Sequence, residues 1–168
     1  MKLDLVEKEI DTILILDFGS QYTQLIARRI RELNVFSAIL PWDISSEKIK
    51  FLGPKGVILS GGPESVTESN TPRIPKIIFE LDIPILGICY GMQTLAEQFG
   101  GQVSSSKNKE FGHAEILLEK PSLLFDGFSS GLSIDVWMSH GDYVSTLPDE
   151  FNLIAATSSA PIAAMEHI

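Results

Sequence analysis

A single cysteine occurs in the 168-residue chain, and it lies between glycines in Gly87-Ile88-Cys89-Tyr90-Gly91. An ionised thiol is an intrinsically strong nucleophile, so the surroundings of Cys89 decide what chemistry is open to it. The frame G-x-C-x-G falls where the apolar run "IPILGI" (83–88) gives way to "GMQTLAEQFGG" (91–101), a helix-spaced segment closed by paired glycines. A strand that turns sharply into a helix is the setting of a nucleophile elbow, in which the reactive residue occupies a strained turn. A Cβ at position 87 or 91 would clash with its neighbours in so tight a turn. The helix start would also turn its partial positive charge toward the thiol and favour thiolate. Taken alone, the frame fits a buried structural cysteine equally well.

A second stretch favours chemistry. "LSGGP" (59–63) follows another apolar run, and its glycine turn is expected at the same carboxyl edge of a sheet. The amides of Gly62 and Tyr90 would then face a developing oxyanion together. A phosphate cradle would instead want Lys and Ser or Thr after the glycines, where Pro63 and Glu64 stand. Acyl transfer through Cys89 is the better reading.

The elements that must hold these turns are legible as alternating runs. "TILILDF" (12–18), "VFSAIL" (35–40), "KGVILSGGP" (55–63) and "IPILGI" read as strands, the first as one buried on both faces. Between them, "SQYTQLIARRIREL" places Tyr22, Leu25, Ile26, Ile30 and Leu33 at helical spacing, and 72–81 reads as a helix with Ile74, Ile77, Ile78 and Leu81 inward. This alternation predicts an α/β fold with a doubly wound, mostly parallel sheet and helices on both faces. After Gly101, "QVSSS", "HAEILLE", "SIDVWMSH" and "NLIAATSS" are β-like pieces without intervening helices, expected as antiparallel additions or a small side layer. One domain, 1–168, is expected.

Bulk properties narrow the function classes. A net charge of −9 disfavours a nucleic-acid groove, and the basic cluster Arg28, Arg29 and Arg31 reads as the wet face of a helix. One cysteine excludes an internal disulfide framework and a multi-cysteine metal site. With no membrane-length apolar run and an acidic start, "MKLDLVEKEID", the expected location is the cytoplasm.

The quoted stretches, with "DFGSQY" and "WMSHGD", resemble the class I (triad-type) glutamine amidotransferase domains, and within them the GMP synthase branch. The resemblance covers nearly the whole chain and implies a mixed, doubly wound sheet. It implies hydrolysis of glutamine through a γ-glutamyl thioester, with ammonia passed to a separate ATP-pyrophosphatase domain that aminates XMP to GMP. Cys89 would be the nucleophile, and Gly62 and Tyr90 the oxyanion donors. Gln93 would face the bound glutamine, and Ser139, His140 and Asp142 would belong to a substrate-enclosing loop. No cofactor is expected in this domain. ATP and magnesium would belong to the synthetase domain, and oligomerisation would run through other domains.

One part of the family pattern is missing. Its general base and orienting carboxylate come from a His-Pro-Glu motif on a later strand, and none occurs here, so the chain is expected to stop short of it. His113 reads as a surface or sheet-edge residue near the pocket, His140 as a substrate-loop position, and His167 as lying just before that strand. Glu97 and Glu166 read as solvated charges. Tyr22 reads as core or semi-core, although with Gln21 it also fits a place near the site or the synthetase interface. Met92 and Trp137 read as packing. Two other functions fit the fold: a non-catalytic interaction module, and another elbow-cysteine hydrolase or redox sensor. Neither requires "SGGP", "GICYG" and Gln93 together.

Overall fold

The computed structural model describes residues 10–168, except the side chains of 106–111 and 140. Its first half is the expected α/β unit. Strands β1 (Thr12–Asp17), β2 (Phe36–Pro41), β3 (Gly56–Leu59) and β4 (Ile85–Gly87) form a parallel sheet in the order β2-β1-β3-β4. Leu14, Ile15 and Leu16 are wholly buried, because β1 lies in the middle of the sheet with both faces covered. Helix α1 (Thr23–Glu32) covers one face. Across the other face, α2 (Ser46–Leu52), α3 (Lys76–Glu80) and α4 (Tyr90–Gln98) bury Ile49, Ile77, Ile78 and Tyr90 against Leu14, Leu16, Val57 and Leu59.

Three local expectations change. Helix α1 buries Thr23 and Ala27, while Tyr22, Leu25 and Leu33 are exposed. The cause lies at the end of β1, where the Asp17 carboxylate accepts from the Thr23 hydroxyl at 2.8 Å and from the Gly19 amide at 2.9 Å. The helix start is thereby drawn down on its small-residue side, and Ser37 donates to the Ala27 carbonyl at 3.3 Å. Helix α3 is only Lys76–Glu80 because Pro75 forces the residue before it out of helical geometry. Ile74 is instead gripped through its backbone by the Gln98 amide, at 2.9 and 3.1 Å. Helix α2 has no counterpart in the sequence reading. It is anchored by the single buried Ile49 and ends at Gly53 in the left-handed region.

The second half forms its own antiparallel sheet, in the order β6-β5-β7-β8. "QVSSS" and "HAEILLE" are parts of one strand, β5 (Gln102–Leu118), whose register breaks between Ser105 and Glu110. It pairs with β6 (Ser133–Thr146) and with β7 (Phe151–Ala156), and β7 pairs with β8 (Ala164–His167). Ile116, Leu118 and Ala155 form a small second core with Phe125, Ile134 and Val136. Residues 139–142 are therefore strand rather than loop, because pairing of Ser139 with Phe111 and of Asp142 with Ser105 keeps β6 extended. No helix among the described residues is long and apolar enough to cross a membrane.

Candidate active site

Cys89 adopts φ 50° and ψ −112°, a conformation costly for a residue with a side chain. It is held there by what surrounds it. A Cβ on Gly91 would run into the Leu59 carbonyl oxygen, and one on Gly87 would stand 2.8 Å from the Met92 backbone. The Gly91 amide donates to the Ser60 carbonyl at 3.0 Å, and the Ile88 amide to that of Leu59 at 2.9 Å, which ties the elbow to the end of β3. The strained turn predicted around Cys89 is present, and the two glycines are required by close backbone approach.

The "LSGGP" turn lies beside it. Gly61 is close enough that an added Cβ would meet the Cys89 Cβ at 3.6 Å. Gly62 and Tyr90 line the same pocket as the thiol, and their amides donate to no acceptor among the described residues. Ser60 sets this turn, a role the sequence reading did not identify. Its buried hydroxyl accepts from the Phe18 amide at 3.0 Å and donates to the Gly61 carbonyl at 2.8 Å. The Tyr90 ring is buried 5.4 Å from that of Phe18, and its hydroxyl donates to the Pro72 carbonyl at 2.6 Å. Both ends of the loop after β3 are thus fastened to the elbow.

The pocket encloses about 620 Å³ and brings Cys89, Gly62, Tyr90, Gln93, Ser139 and Asp142 together. The His140 side chain lies outside the described residues. Gln93 is 5% exposed, and its Nε2 donates to the Asp142 carbonyl at 2.8 Å. Tyr22 is 56% exposed and lines the pocket with Gln21, so it is not a core residue. Glu64 and Glu68 also line the wall. They were missed because single acidic residues in a loop have no periodicity to mark them. Among the described residues, no three His, Cys, Asp or Glu side chains come together as metal ligands would.

The described histidines stand elsewhere. His113 Nε2 lies 2.8 Å from Asp135 Oδ1 on an exposed sheet face, and the His167 ring packs edge-on against Phe151 and Phe99. Glu97 pairs with Arg73 at 2.9 Å, and Glu166 accepts from Ser122 and the Leu123 amide, so neither is a free solvated charge. Trp137 is 76% exposed, contrary to its reading as packing, because its strand position faces away from the second core. Burial pushes the Cys89 thiol above the ordinary thiol value, with no histidine beside it among the described side chains. That opposes the expected pull of the α4 N-terminus toward thiolate.

Several known proteins share this arrangement. GMP synthase [glutamine-hydrolyzing] from Histophilus somni (strain 129Pt) is 55% identical over 158 residues, which cover 91% of this chain and 30% of that protein. The enzyme of the same name from Teredinibacter turnerae is 57% identical over 159 residues, again 91% of this chain and 30% of the relative. The chain therefore spans about 30% of the length of these curated relatives. Among solved structures, a GMP synthase subunit protein from Thermoplasma acidophilum superposes with a TM-score of 0.82 at 33% identity, covering 94% of this chain and 78% of that one. A glutamine amidotransferase from Thermotoga maritima shares the fold, with a TM-score of 0.71 at 21% identity over 94% of this chain and 72% of that one. The family model for glutamine amidotransferase class-I matches residues 14–168, and the chain belongs to that family.

Proposed function

We propose that this chain is the glutamine-hydrolysing part of a GMP synthase. The observation that carries the reading is the strained Cys89 in one pocket with the unengaged amides of Gly62 and Tyr90. In this account the Cys89 sulfur attacks the side-chain amide carbon of glutamine, and the two amides hold the resulting oxyanion. Collapse breaks the C–N bond and releases ammonia, which must gain the proton that the thiol gave up. Water then cleaves the thioester to give glutamate and restore the thiol.

The proton carrier is the piece this chain does not provide on the present reading. His113 and His167 point away from the pocket, and the raised thiol makes a base the more necessary. A histidine from a His-Pro-Glu segment outside residues 1–168 would take that role. The ammonia would go to an ATP- and magnesium-using synthetase domain that aminates XMP to GMP. That the chain spans only about 30% of its relatives is in keeping with such a division of labour.

The test uses two proteins: the 168-residue chain, and a chimera in which it replaces the matching segment of the Teredinibacter turnerae enzyme. The chain alone should release no glutamate from glutamine above background, even when folded and reduced. The chimera should hydrolyse glutamine and lose that activity with Cys89→Ala. A chimera that folds and hydrolyses no glutamine would sink the proposal. Robust hydrolysis by the chain alone would return one of His113, His140 or His167 to the role of base.

A further inference from the structure

The β5–β6 ribbon has two faces of opposite character. Its inner face, with Ile116, Leu118, Ile134 and Val136, packs into the second core. Its outer face exposes His113, Glu115 and Leu117 on β5 and Asp135 and Trp137 on β6. Trp137 stands directly across from His113, and His113 reaches diagonally to Asp135 at 2.8 Å. An indole 76% open to water, on a rigid strand and edged by carboxylates, is costly to leave uncovered.

We infer that this face, centred on Trp137, docks a basic patch of the domain that accepts the ammonia; the inference rests on the function proposed above. Three observations choose this occupant. First, the described charge around Trp137 is that of Glu115 and Asp135, which suits an arginine stacked on the indole and paired with a carboxylate. A second copy would bring the same acids face to face in a chain of net charge −9, and repulsion disfavours it. Second, Ser139 lies two residues beyond Trp137 on the same strand face and already lines the pocket. A domain held at Trp137 therefore sits at the pocket mouth. Third, the greater part of each relative lies outside the segment this chain matches, so a covalently joined partner of ample size exists in those proteins.

The ribbon is also fastened to the nucleophile helix, since Gln93 on α4 donates to the Asp142 carbonyl of β6 at 2.8 Å. Docking on the outer face would be transmitted to the pocket through that bond and the β6 backbone.

The experiment compares Trp137→Ala, Asp135→Arg and Trp137→Phe in the Teredinibacter chimera. GMP formation is measured with glutamine and, separately, with ammonium salt as nitrogen source. Trp137→Ala and Asp135→Arg should each lower the glutamine-dependent rate at least tenfold, with the ammonia-dependent rate unchanged and glutamate still released. Trp137→Phe should keep most of the coupling. The unchanged ammonia rate shows that the chimera remains folded. Coupling that survives both disruptive substitutions would overturn the docking surface alone. So would a Trp137-dependent dimer with coupling intact, which would assign the face to a second copy. An unsubstituted chimera that uses ammonia but never glutamine would overturn the docking and the functional reading together.

Discussion

Gln93 and Asp142 are joined across 2.8 Å, side-chain amide to backbone carbonyl, linking the helix that begins after Cys89 to the long ribbon of the second sheet. Gln93 is 5% exposed, so the bond is made out of water, where losing a partner is costly. The two halves of the molecule meet at the pocket through this contact. Position 93 is therefore first a strut, and its service to a bound glutamine depends on that.

Removing the strut should show in stability before chemistry. Gln93→Ala leaves the Asp142 carbonyl without its donor and should lower unfolding free energy by about 1–3 kcal/mol. Urea denaturation of the chain reads this directly. Hydrogen exchange should quicken in 141–144 while the amides of β1 stay protected. Uniform exchange across both sheets would mean that the bond does not join them.

The elbow glycines should separate by what a Cβ would meet. Gly91→Ala drives a methyl into the Leu59 carbonyl and should cost about 3 kcal/mol or prevent folding. Gly61→Ala meets only the Cys89 Cβ and the Ser20 hydroxyl at 3.6 Å, so its Tm should stay near that of the parent. It narrows the approach to the thiol, and alkylation of Cys89 by a bulky reagent should slow. Gly62→Ala cannot make this distinction, because its Cβ would stand 2.6 Å from the Phe18 carbonyl and disturb the fold as well. Equal Tm losses for Gly61→Ala and Gly91→Ala would contradict this reading of the turn.

Burial raises the Cys89 thiol above its unfolded value, which gives stability a definite pH dependence. Below the ordinary thiol range both states are protonated, and the contribution is fully present. As pH climbs from the unfolded thiol value through the folded one, the unfolded state releases its proton first, and stability falls. Thermal unfolding followed through the alkaline range should show this slope, and Cys89→Ser should flatten it. An unchanged slope in the serine variant would assign the effect to other groups.

The central sheet was readable because continuous apolar runs ending in Asp17 and Ser60 leave little choice but buried parallel strands. Cys89, Gly62 and Tyr90 were readable because elbow and turn need glycine at fixed spacing. What was hidden depends on contacts made from afar. The rotation of α1 is set by Asp17 reaching Thr23, and the shortening of α3 by Gln98 gripping Ile74, 24 residues away in sequence. Trp137 could not be placed either, because alternation along β6 separates inner from outer faces without saying which face the second core takes. Ser60 was in view as part of "LSGGP", yet a serine hydroxyl between two backbone groups leaves no pattern in sequence.

The claim that Cys89 is the nucleophile for a glutamine side chain is tested most directly by covalent labelling. The 168-residue chain is incubated with an electrophilic glutamine analogue at alkaline pH, where the thiol ionises without a base, and the adduct is mapped by peptide mass spectrometry. The account predicts one adduct on Cys89. Excess glutamine should protect it, Gln93→Ala should weaken it, and Cys89→Ala should abolish it. An adduct on any other residue, or labelling of Cys89 that glutamine does not slow, would contradict it.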